Sequence, residues 1–382
     1  MKNRDKWITV AFLVLILTIP FVSLVRSFLP SYQQEQGLTE AEKEVLENNG
    51  TIRKDEESNT ESSTEDSSHK EDTPSEDKKE EPLFTKLQNA INHFTEGLFG
   101  RTKLIAFNTQ LTSLLTGGTY IESTQVLMGK NEMFFYKTEL DGHPIWDYMG
   151  INHFSDAELA VMASNLTAAK EHLEQKGIEF YAMCVPNKEI IYEENMPDTI
   201  ARVNKVSRGE QLAKYINENT DIVFVYPKDA LLENKKNAQL YYFTDTHANQ
   251  KGAFVMMQAF FKEAYSTTSN LDSVEFAKTA DDYSGDLVTI AGLAGKYVDE
   301  NYAFDKDSAD SAQYHDQVLL FVGDSFGGYL SMVCKGYYKK VYWEHPDVFE
   351  YSMYEKYKPD VVIWENAERL CERFMNPLLT TP

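Results

Sequence analysis

The chain has 382 residues, a formal net charge of −23 and only three cysteines. A surface this acidic disfavours nucleic acids and anionic lipids as partners. Three cysteines argue against a disulfide framework. The spacing of histidines, cysteines and carboxylates indicates no zinc site, and no glycine loop is of the kind that cradles phosphates. We therefore expect a protein that uses neither a metal nor an organic cofactor.

The amino-terminal segment predicts a membrane anchor over residues 1–30. Lys2, Arg4 and Lys6 precede an uncharged, mostly apolar run over residues 7–25, and about twenty apolar residues suffice to cross a bilayer as a helix. The basic residues before this run favour a cytoplasmic amino terminus, with the rest of the chain outside the cell membrane. A cleaved signal peptide is the alternative, but the long run without a convincing small-residue cleavage site favours an anchor.

Two segments separate this anchor from the part that can form a core. Residues 31–82 are dominated by Glu, Asp, Ser, Thr and Lys, and such a composition buries too little apolar surface to offset the entropy of ordering. They predict a disordered, acidic linker. Residues 83–119 are predicted to form a helical lead-in, because Phe84, Leu87 and Ile91 begin one apolar stripe at helical spacing. We expect this helix to dock on the main domain, with a membrane-surface or partner helix as the alternative.

From residue 120 to 382 the pattern alternates between strands and helices. Strands are predicted at Ile178–Cys184, Ile222–Val225, Val318–Val322, Lys340–Trp343 and Val361–Trp364. Helices are predicted near Asp156–Lys176, Arg208–Asn219, Asn249–Ala264 and Asp347–Lys356. Such alternation is typical of an α/β domain in which helices flank a mostly parallel sheet.

One of these strands ends in a candidate nucleophile. The apolar run 318–322 leads directly into Gly323, Asp324 and Ser325. A buried parallel strand that ends in a turn of small residues brings the serine to the carboxyl edge of the sheet, where α/β folds keep their chemistry. The alternative reading is a strand-to-helix turn in which Asp or Ser only caps the next helix.

A serine hydroxyl needs a base that removes its proton and a group that orients the base. Asp245 and His247 follow the apolar residues 240–243 and stand two positions apart, which places both side chains on the same side of an extended backbone. Asp245 could therefore hold the ring of His247 in the tautomer that accepts a proton. Helix capping by residues 244–246 is again the alternative, and the two motifs together favour a Ser-His-Asp triad.

Together with residues 126–136, 185–192, 284–287 and 358–369, these motifs resemble, in this order, a known family. It comprises the SGNH-like acetyltransferases of the alginate O-acetylation type (AlgJ/AlgX-like) and the related DHHW proteins of Gram-positive bacteria. The resemblance covers roughly residues 120 to 375. It implies an SGNH-hydrolase-like three-layer domain with a circularly permuted motif order, because Asp245 and His247 precede Ser325.

The resemblance also implies transfer of an acetyl group to a hydroxyl of an extracytoplasmic polysaccharide, with Ser325 as nucleophile, His247 as base and Asp245 as its orienter. A multi-pass membrane-bound O-acyltransferase would be the acyl source. By analogy, Asn366 would donate to the oxyanion beside the backbone amide of Ser325, and Arg369 would orient this loop or meet an anionic group. A helix cap and a surface ion pair are the structural alternatives for these two residues.

The chain departs from the family at Ala248, because members commonly carry a tryptophan directly after the histidine. This departure puts the substrate in doubt more than the reaction type. Two alternatives to the acetyltransferase therefore stay open. One is a polysaccharide acetylesterase of the same fold, and the other is a polysaccharide-binding or assembly protein that has lost its activity.

Overall fold

The computed structural model describes residues 125–137, 141–279 and 282–380. These ranges contain nine strands and nine α-helices. The strands are β1 (Val126–Met128), β2 (Phe134–Tyr136), β3 (Glu179–Val185), β4 (Phe224–Val225), β5 (Phe276–Lys278), β6 (Tyr302–Phe304), β7 (His315–Gly323), β8 (Tyr338–Glu344) and β9 (Val361–Ala367). The helices are α1 (Pro144–Met149), α2 (Asp156–Glu174), α3 (Lys188–Ile191), α4 (Arg208–Asn219), α5 (Lys228–Asn234), α6 (Gln250–Tyr265), α7 (Asp286–Ile290), α8 (Ser325–Cys334) and α9 (Met353–Tyr357). A 3₁₀ segment, Glu368–Met375, follows β9.

Five of the strands form one sheet in the order β4-β3-β9-β7-β8. All neighbouring pairs in this sheet are parallel. The central strand β9 pairs with β3 up to Val185↔Ala367 and with β7 up to Gly323↔Glu365. The carboxyl ends of β3, β9 and β7 therefore meet at one edge of the sheet, the edge at which open α/β sheets bind ligands.

Alternate residues of the central strands belong to two separate cores. Leu319 and Phe321 pack with the apolar residues of α6 and α8, whereas Leu320 and Val322 pack with those of α2 and α4. Both faces of the sheet are thus buried, which explains why its central strands read as continuous apolar runs. The predicted α/β class with a mostly parallel sheet is confirmed.

Two small antiparallel ribbons, β1-β2 and β5-β6, complete the sheet structure of the described ranges. The first ribbon is the stretch 126–136 that resembles the family. Its residues Val126, Met128 and Phe134 share a core with Leu287 and Val288 of α7. This core fixes the segment before α7 against the body of the domain.

All the strands and helices predicted from residue 120 onwards are present, with bounds that differ by a few residues, except that one helix was predicted too long. Helix α4 has the predicted bounds, and α6 begins one residue later than predicted because Asn249 caps it by accepting from the backbone N–H groups of Lys251 and Gly252. The helix predicted at 347–356 is wrong in its first half, since only Met353–Tyr357 is helical. The N–H of Asp347 donates to Nδ1 of His345, and this local bond holds a turn there instead.

The predictions for residues 1–30, 31–82 and 83–119 lie outside the described residues. Within the described ranges, no helix combines the length and the apolar character needed to cross a membrane. The described residues belong to one compact unit, and Cys184, Cys334 and Cys371 are buried in it as free thiols.

Candidate active site

Ser325 is the first residue of α8 and is exposed at the carboxyl end of β7. The residue before it, Asp324, is the N-cap. Its Oδ1 accepts from the N–H of Phe326 at 2.9 Å, and its Oδ2 accepts from the N–H of Ala367 at 2.8 Å. The capping interpretation therefore holds for Asp324, and the hydroxyl of Ser325 does not take this role.

Asp245 and His247 lie on a tight loop that an antiparallel bridge between Tyr241 and Ala248 closes. Oδ1 of Asp245 accepts from the backbone N–H of His247 at 2.8 Å and lies 2.6 Å from its Nδ1. Nε2 of the same ring lies 2.7 Å from Oγ of Ser325. Since a carboxylate only accepts, Nδ1 carries a proton and Nε2 is left to accept from the serine. The structure thus brings the three predicted residues together in hydrogen-bonding order.

The second carboxylate oxygen of Asp245 is bound as well. Its Oδ2 accepts from the hydroxyl of Tyr283 at 2.5 Å and from the N–H of Asp286 at 3.0 Å. Burial alone would raise the pKa of Asp245, but the attraction of His247 and the hydrogen bonds from His247 and Tyr283 outweigh burial and hold this pKa well below its ordinary value. Asp245 is therefore a carboxylate at neutral pH.

Burial by itself would lower the pKa of His247, but the charge and hydrogen bond of Asp245 raise it above its ordinary value. A second carboxylate contributes in the same direction, because Oδ2 of Asp286 lies 4.0 Å from Nδ1. The surroundings of the ring thus favour its protonated form.

Lys188 binds the backbone of the loop that carries Asp245. Its Nζ donates to the carbonyl oxygens of Phe243 at 3.1 Å and Asp245 at 2.9 Å. Burial lowers the pKa of Lys188 to about 8, although nearby carboxylates oppose this. Asp299 binds the same loop from outside it. Its carboxylate accepts from the N–H of Phe243 at 2.7 Å and from the N–H of Thr244 at 2.8 Å.

Two aromatic rings of α8 cover the imidazole. Tyr329 stacks on His247 with ring centroids 5.2 Å apart, and Phe326 lies at 4.8 Å in a tilted arrangement. Ala248, by contrast, is buried in the core between the sheet and α6. The position after the histidine therefore contributes to packing in this chain, and the aromatic contacts of His247 come from α8.

Asn366 is fully buried near the end of β9. With its amide oriented so that both groups find partners, the nitrogen donates to the carbonyl oxygen of Glu365 and the oxygen accepts from the indole N–H of Trp364, each at 3.3 Å. Within the described ranges, the hydrogen bonds of its side chain are thus to its own strand. A role as oxyanion donor stays a prediction.

Arg369 follows β9 and is also buried. Its Nε lies 3.5 Å from the carboxylate of Asp141, and its guanidinium lies 5.6 Å from the ring of Phe326. It lines a small cavity together with Thr246 and Lys188. Burial by itself would lower the pKa of Arg369, but the nearby carboxylates of Asp324 and Asp141 outweigh burial and raise this pKa above its ordinary value. Arg369 is therefore a buried cation beside the loop of Asp245, and its role in substrate orientation stays a prediction.

Asp245, His247 and Asp286 offer donor atoms within 4.8 Å of one another, a spacing that a metal ion would accept. However, Nδ1 of His247 and Oδ1 of Asp245 share a proton, and Oδ2 of Asp286 accepts from the hydroxyl of Thr246 at 2.6 Å. We therefore interpret this cluster as a hydrogen-bonded group.

Sequence reasoning gave no role to Lys188, Tyr283, Asp286 and Asp299. Lys188 and Asp286 lie in stretches that resemble the family, at 185–192 and 284–287, so their presence was visible but their partners were not. Tyr283 directly precedes the second stretch. No local signal pointed to Asp299, which binds the loop of Asp245 and His247 at Thr244, 55 positions earlier in the chain.

The parallel sheet thus carries Ser325, His247 and Asp245 together at its carboxyl edge. The family model for the SGNH hydrolase-like domain of acetyltransferase AlgX matches residues 126–328, more than half of the chain. The chain belongs to this family and is an acetyltransferase of the SGNH type. No curated protein matches the sequence significantly.

Several solved structures are similar to this chain. A DHHW family protein from Eubacterium siraeum is 14% identical with a TM-score of 0.48, over 67% of this chain and 96% of that one. The O-acetyltransferase domain of Pseudomonas putida AlgJ is 17% identical with a TM-score of 0.42, over 65% and 92%. Bacillus cereus PatB1 with a sulfonyl adduct is 11% identical with a TM-score of 0.43, over 64% and 94%.

Proposed function

We propose that this protein is a membrane-anchored, extracytoplasmic O-acetyltransferase that moves an acetyl group to a hydroxyl of a cell-surface polysaccharide or exopolysaccharide. Ser325 is the nucleophile, His247 the general base and Asp245 the residue that orients it. The observation that carries this proposal is the distance of 2.7 Å between Nε2 of His247 and Oγ of Ser325, with Nδ1 held at 2.6 Å by Asp245. These distances lie in the range that proton transfer requires.

The reaction has two halves. In the first, Nε2 of His247 takes the hydroxyl proton while Oγ of Ser325 attacks the acetyl carbonyl of the donor ester, and the protonated ring returns that proton to the leaving alcohol. In the second, a sugar hydroxyl gives its proton to Nε2 and attacks the acetyl-serine. As the tetrahedral intermediate collapses, Oγ of Ser325 leaves and takes this proton from the ring, so that serine and histidine are restored and the sugar departs acetylated.

The negative charge on the tetrahedral intermediates needs donors. The backbone N–H of Ser325 suits this role because it belongs to the first turn of α8, where the helix dipole and unpaired amides favour an anion. Asn366 remains a second candidate donor, and Arg369 a candidate for orienting the substrate.

The proposed location rests on the sequence. The basic start and the apolar run 7–25 support a single-pass anchor with a cytoplasmic amino terminus. The acidic linker 31–82 would then hold the domain away from the membrane. A multi-pass membrane-bound O-acyltransferase is the proposed acyl source, since a site outside the cell needs an acyl donor carried across the membrane.

The exposure of Ser325 favours hydrolysis as a second candidate activity, because water that reaches the acetyl-serine would hydrolyse it. The protein would then act as an acetylesterase on the same polymers. A polysaccharide-binding protein without activity is the third possibility. These three outcomes differ in what happens to the acetyl group.

The test uses the full chain in detergent with p-nitrophenyl acetate, with and without soluble xylo- or chito-oligosaccharides. We expect p-nitrophenol release and oligosaccharides heavier by one acetyl group in mass spectrometry. Ser325→Ala and His247→Ala should lose both signals. Ser352→Ala, which removes an exposed serine hydroxyl elsewhere, should keep them and serves as the matched control.

Triad-dependent release of acetate without acetylated sugar would favour the esterase. If a serine-directed phosphonate does not label Ser325 and the wild type is no faster than Ser325→Ala, the catalytic proposal is wrong and the binding protein is favoured.

A further inference from the structure

We propose that Asp286 is a positioning residue for this reaction, a second carboxylate that acts with Asp245 to stabilise the imidazolium form of His247 through the hydroxyl of Thr246. This inference rests on the proposed function, in which His247 gains and loses a proton in each half-reaction. It gives a role to the stretch 284–287, which the function proposed so far does not use.

The contacts of Asp286 all converge on the loop between Asp245 and His247. Its Oδ1 accepts from the backbone N–H of Thr246 at 2.8 Å, and its Oδ2 accepts from the hydroxyl of Thr246 at 2.6 Å. The same hydroxyl oxygen lies 3.2 Å from Nδ1 of His247, which is itself 4.0 Å from Oδ2 of Asp286. The carboxylate is thus close enough to the ring for strong attraction in a partly buried site.

The backbone of this segment is also built against the catalytic loop. The N–H of Asp286 donates to Oδ2 of Asp245 at 3.0 Å, and the N–H of Leu287 donates to the carbonyl of Thr244 at 3.1 Å. A Cβ on Gly285 would lie 2.5 Å from Cβ of Asp245, so only glycine permits this approach. Leu287 is fully buried against the β1-β2 ribbon, which anchors the segment.

Several charged groups act on His247. Asp245 and Asp286 favour its protonated form, whereas Arg369, which follows β9, opposes it. Tyr283, which donates to Asp245, and Tyr329, which stacks on the ring from α8, are its titratable neighbours without charge at neutral pH. Burial and the nearby Asp245 raise the pKa of Asp286 above its ordinary value, as expected for two carboxylates that share one site.

The first experiment measures how fast a small serine-directed phosphonate modifies Ser325 as a function of pH, with the full chain in detergent. In Asp286→Asn, one carboxylate near His247 is lost. We expect the acid limb of the profile to move to lower pH by about one unit, and the plateau rate to fall by up to about tenfold because the imidazolium is less stabilised. The matched control is Asp282→Asn, which removes a charge from an exposed residue of the same segment and should leave the profile unchanged.

The second experiment does not need activity or a substitution at Asp286. In the full chain carrying Ser325→Ala, NMR of ¹³C-labelled histidine and aspartate follows the ring of His247 and the carboxyl of Asp286 against pH. We expect the carboxyl resonance of Asp286 to show an inflection at the pKa of His247. This measurement also decides the matter if Asp286→Asn does not fold.

Two results would overturn the inference. One is an unshifted acid limb in a folded Asp286→Asn protein, and the other is an Asp286 resonance without an inflection at the pKa of His247. Its failure is distinct from that of the proposed function. A protein that transfers no acetyl group and resists the phosphonate can still show the coupled titration, and an active transferase can lack it.

Discussion

One oxygen of Asp245 binds His247 twice, because Oδ1 accepts from the backbone N–H at 2.8 Å and contacts Nδ1 of the ring at 2.6 Å. The first contact fixes the turn of the chain between the two residues, and the second fixes the tautomer and the plane of the ring. Shape and proton position are thus set by the same atom, so a change at this oxygen acts on both.

Asp245→Asn should lower the rate of acetyl transfer by about 10³ to 10⁴-fold, because the amide can donate to Nδ1 and so stabilises the wrong tautomer of His247. The measurement is acetylation of an oligosaccharide at saturating donor, followed by mass spectrometry. Asp316→Asn, at an exposed aspartate, is the control. A loss of less than tenfold would show that Asp245 is not the orienter.

The pH dependence of phosphonylation in the wild type should have its acid midpoint above pH 6.5, since Asp245 raises the pKa of His247 above this ordinary value. The base must be neutral to accept the proton, so the rate rises as pH passes through this pKa. A midpoint below 6.5 would contradict the assigned surroundings of the ring.

The same shifts act on stability with opposite signs. Because the pKa of His247 is raised on folding, its contribution is fully present below the unfolded value and is lost as the pH rises through the folded value. Because the pKa of Asp245 is lowered, its contribution is present above the unfolded value and is lost as the pH falls through the folded value. The free energy of unfolding of Asp245→Asn should therefore depend less on pH than that of the wild type in acid, as urea titrations can measure.

Lys188→Met should slow acetyl transfer by about tenfold, because the carbonyl oxygens of Phe243 and Asp245 lose a common donor and the loop loosens. Lys339→Met, at an exposed lysine, is the control. An unchanged rate would mean that the loop holds its shape without this donor.

Lys188 should also have a signature in stability. Its folded pKa of about 8 lies below the ordinary value of 10.5, so the unfolded chain keeps the proton longer and the wild type gains stability as the pH rises between these values. The gain is about 3 kcal/mol, and it should be missing in Lys188→Met. Equal pH dependence of the free energy of unfolding in both proteins would count against a buried ammonium.

Gly285→Ala should destabilise the fold by about 2 kcal/mol or more and reduce activity, because the new Cβ would lie 2.5 Å from both Cβ of Asp245 and the carbonyl oxygen of Thr244. Gly328→Ala is the matched control, since a Cβ there meets Trp343 only at an ordinary 3.6 Å. Thermal unfolding of the two variants should separate them clearly, and similar melting temperatures would refute the close approach.

The sequence predicted what local pattern can encode. Four of the five strands of the main sheet were found as apolar runs, and β8 was found from the short stretch 340–343 in a more polar segment. Ser325 and the pair Asp245 and His247 stood out because each motif follows an apolar run. Strand ends were placed less well, as with β9, which continues through the polar residues 365 and 366. A polar residue in a buried strand gives no signal of strand structure, because only tertiary packing holds it there.

The sequence did not predict which residues bind and support the loop of Asp245 and His247. Asp299 and Asp286 reach the catalytic loop from 55 and 40 positions away, and nothing in a local pattern says which of many acidic residues will do so. The length of helix α9 was overestimated for a different reason. The local bond from the N–H of Asp347 to His345 competes with helix formation there.

Strand β9 lies at the centre of the main sheet but is the last of its strands along the chain. Until residues 361–367 are in place, the pair β3-β4 and the pair β7-β8 have no strand between them, and the amide of Ala367 cannot reach Asp324. A chain synthesised from its amino terminus therefore completes its main sheet only when residues 361–367 join β3 to β7. A premature stop before β9 would keep every proposed triad residue but remove the strand between β3 and β7 and the amide that binds Asp324, so we expect the product to be inactive.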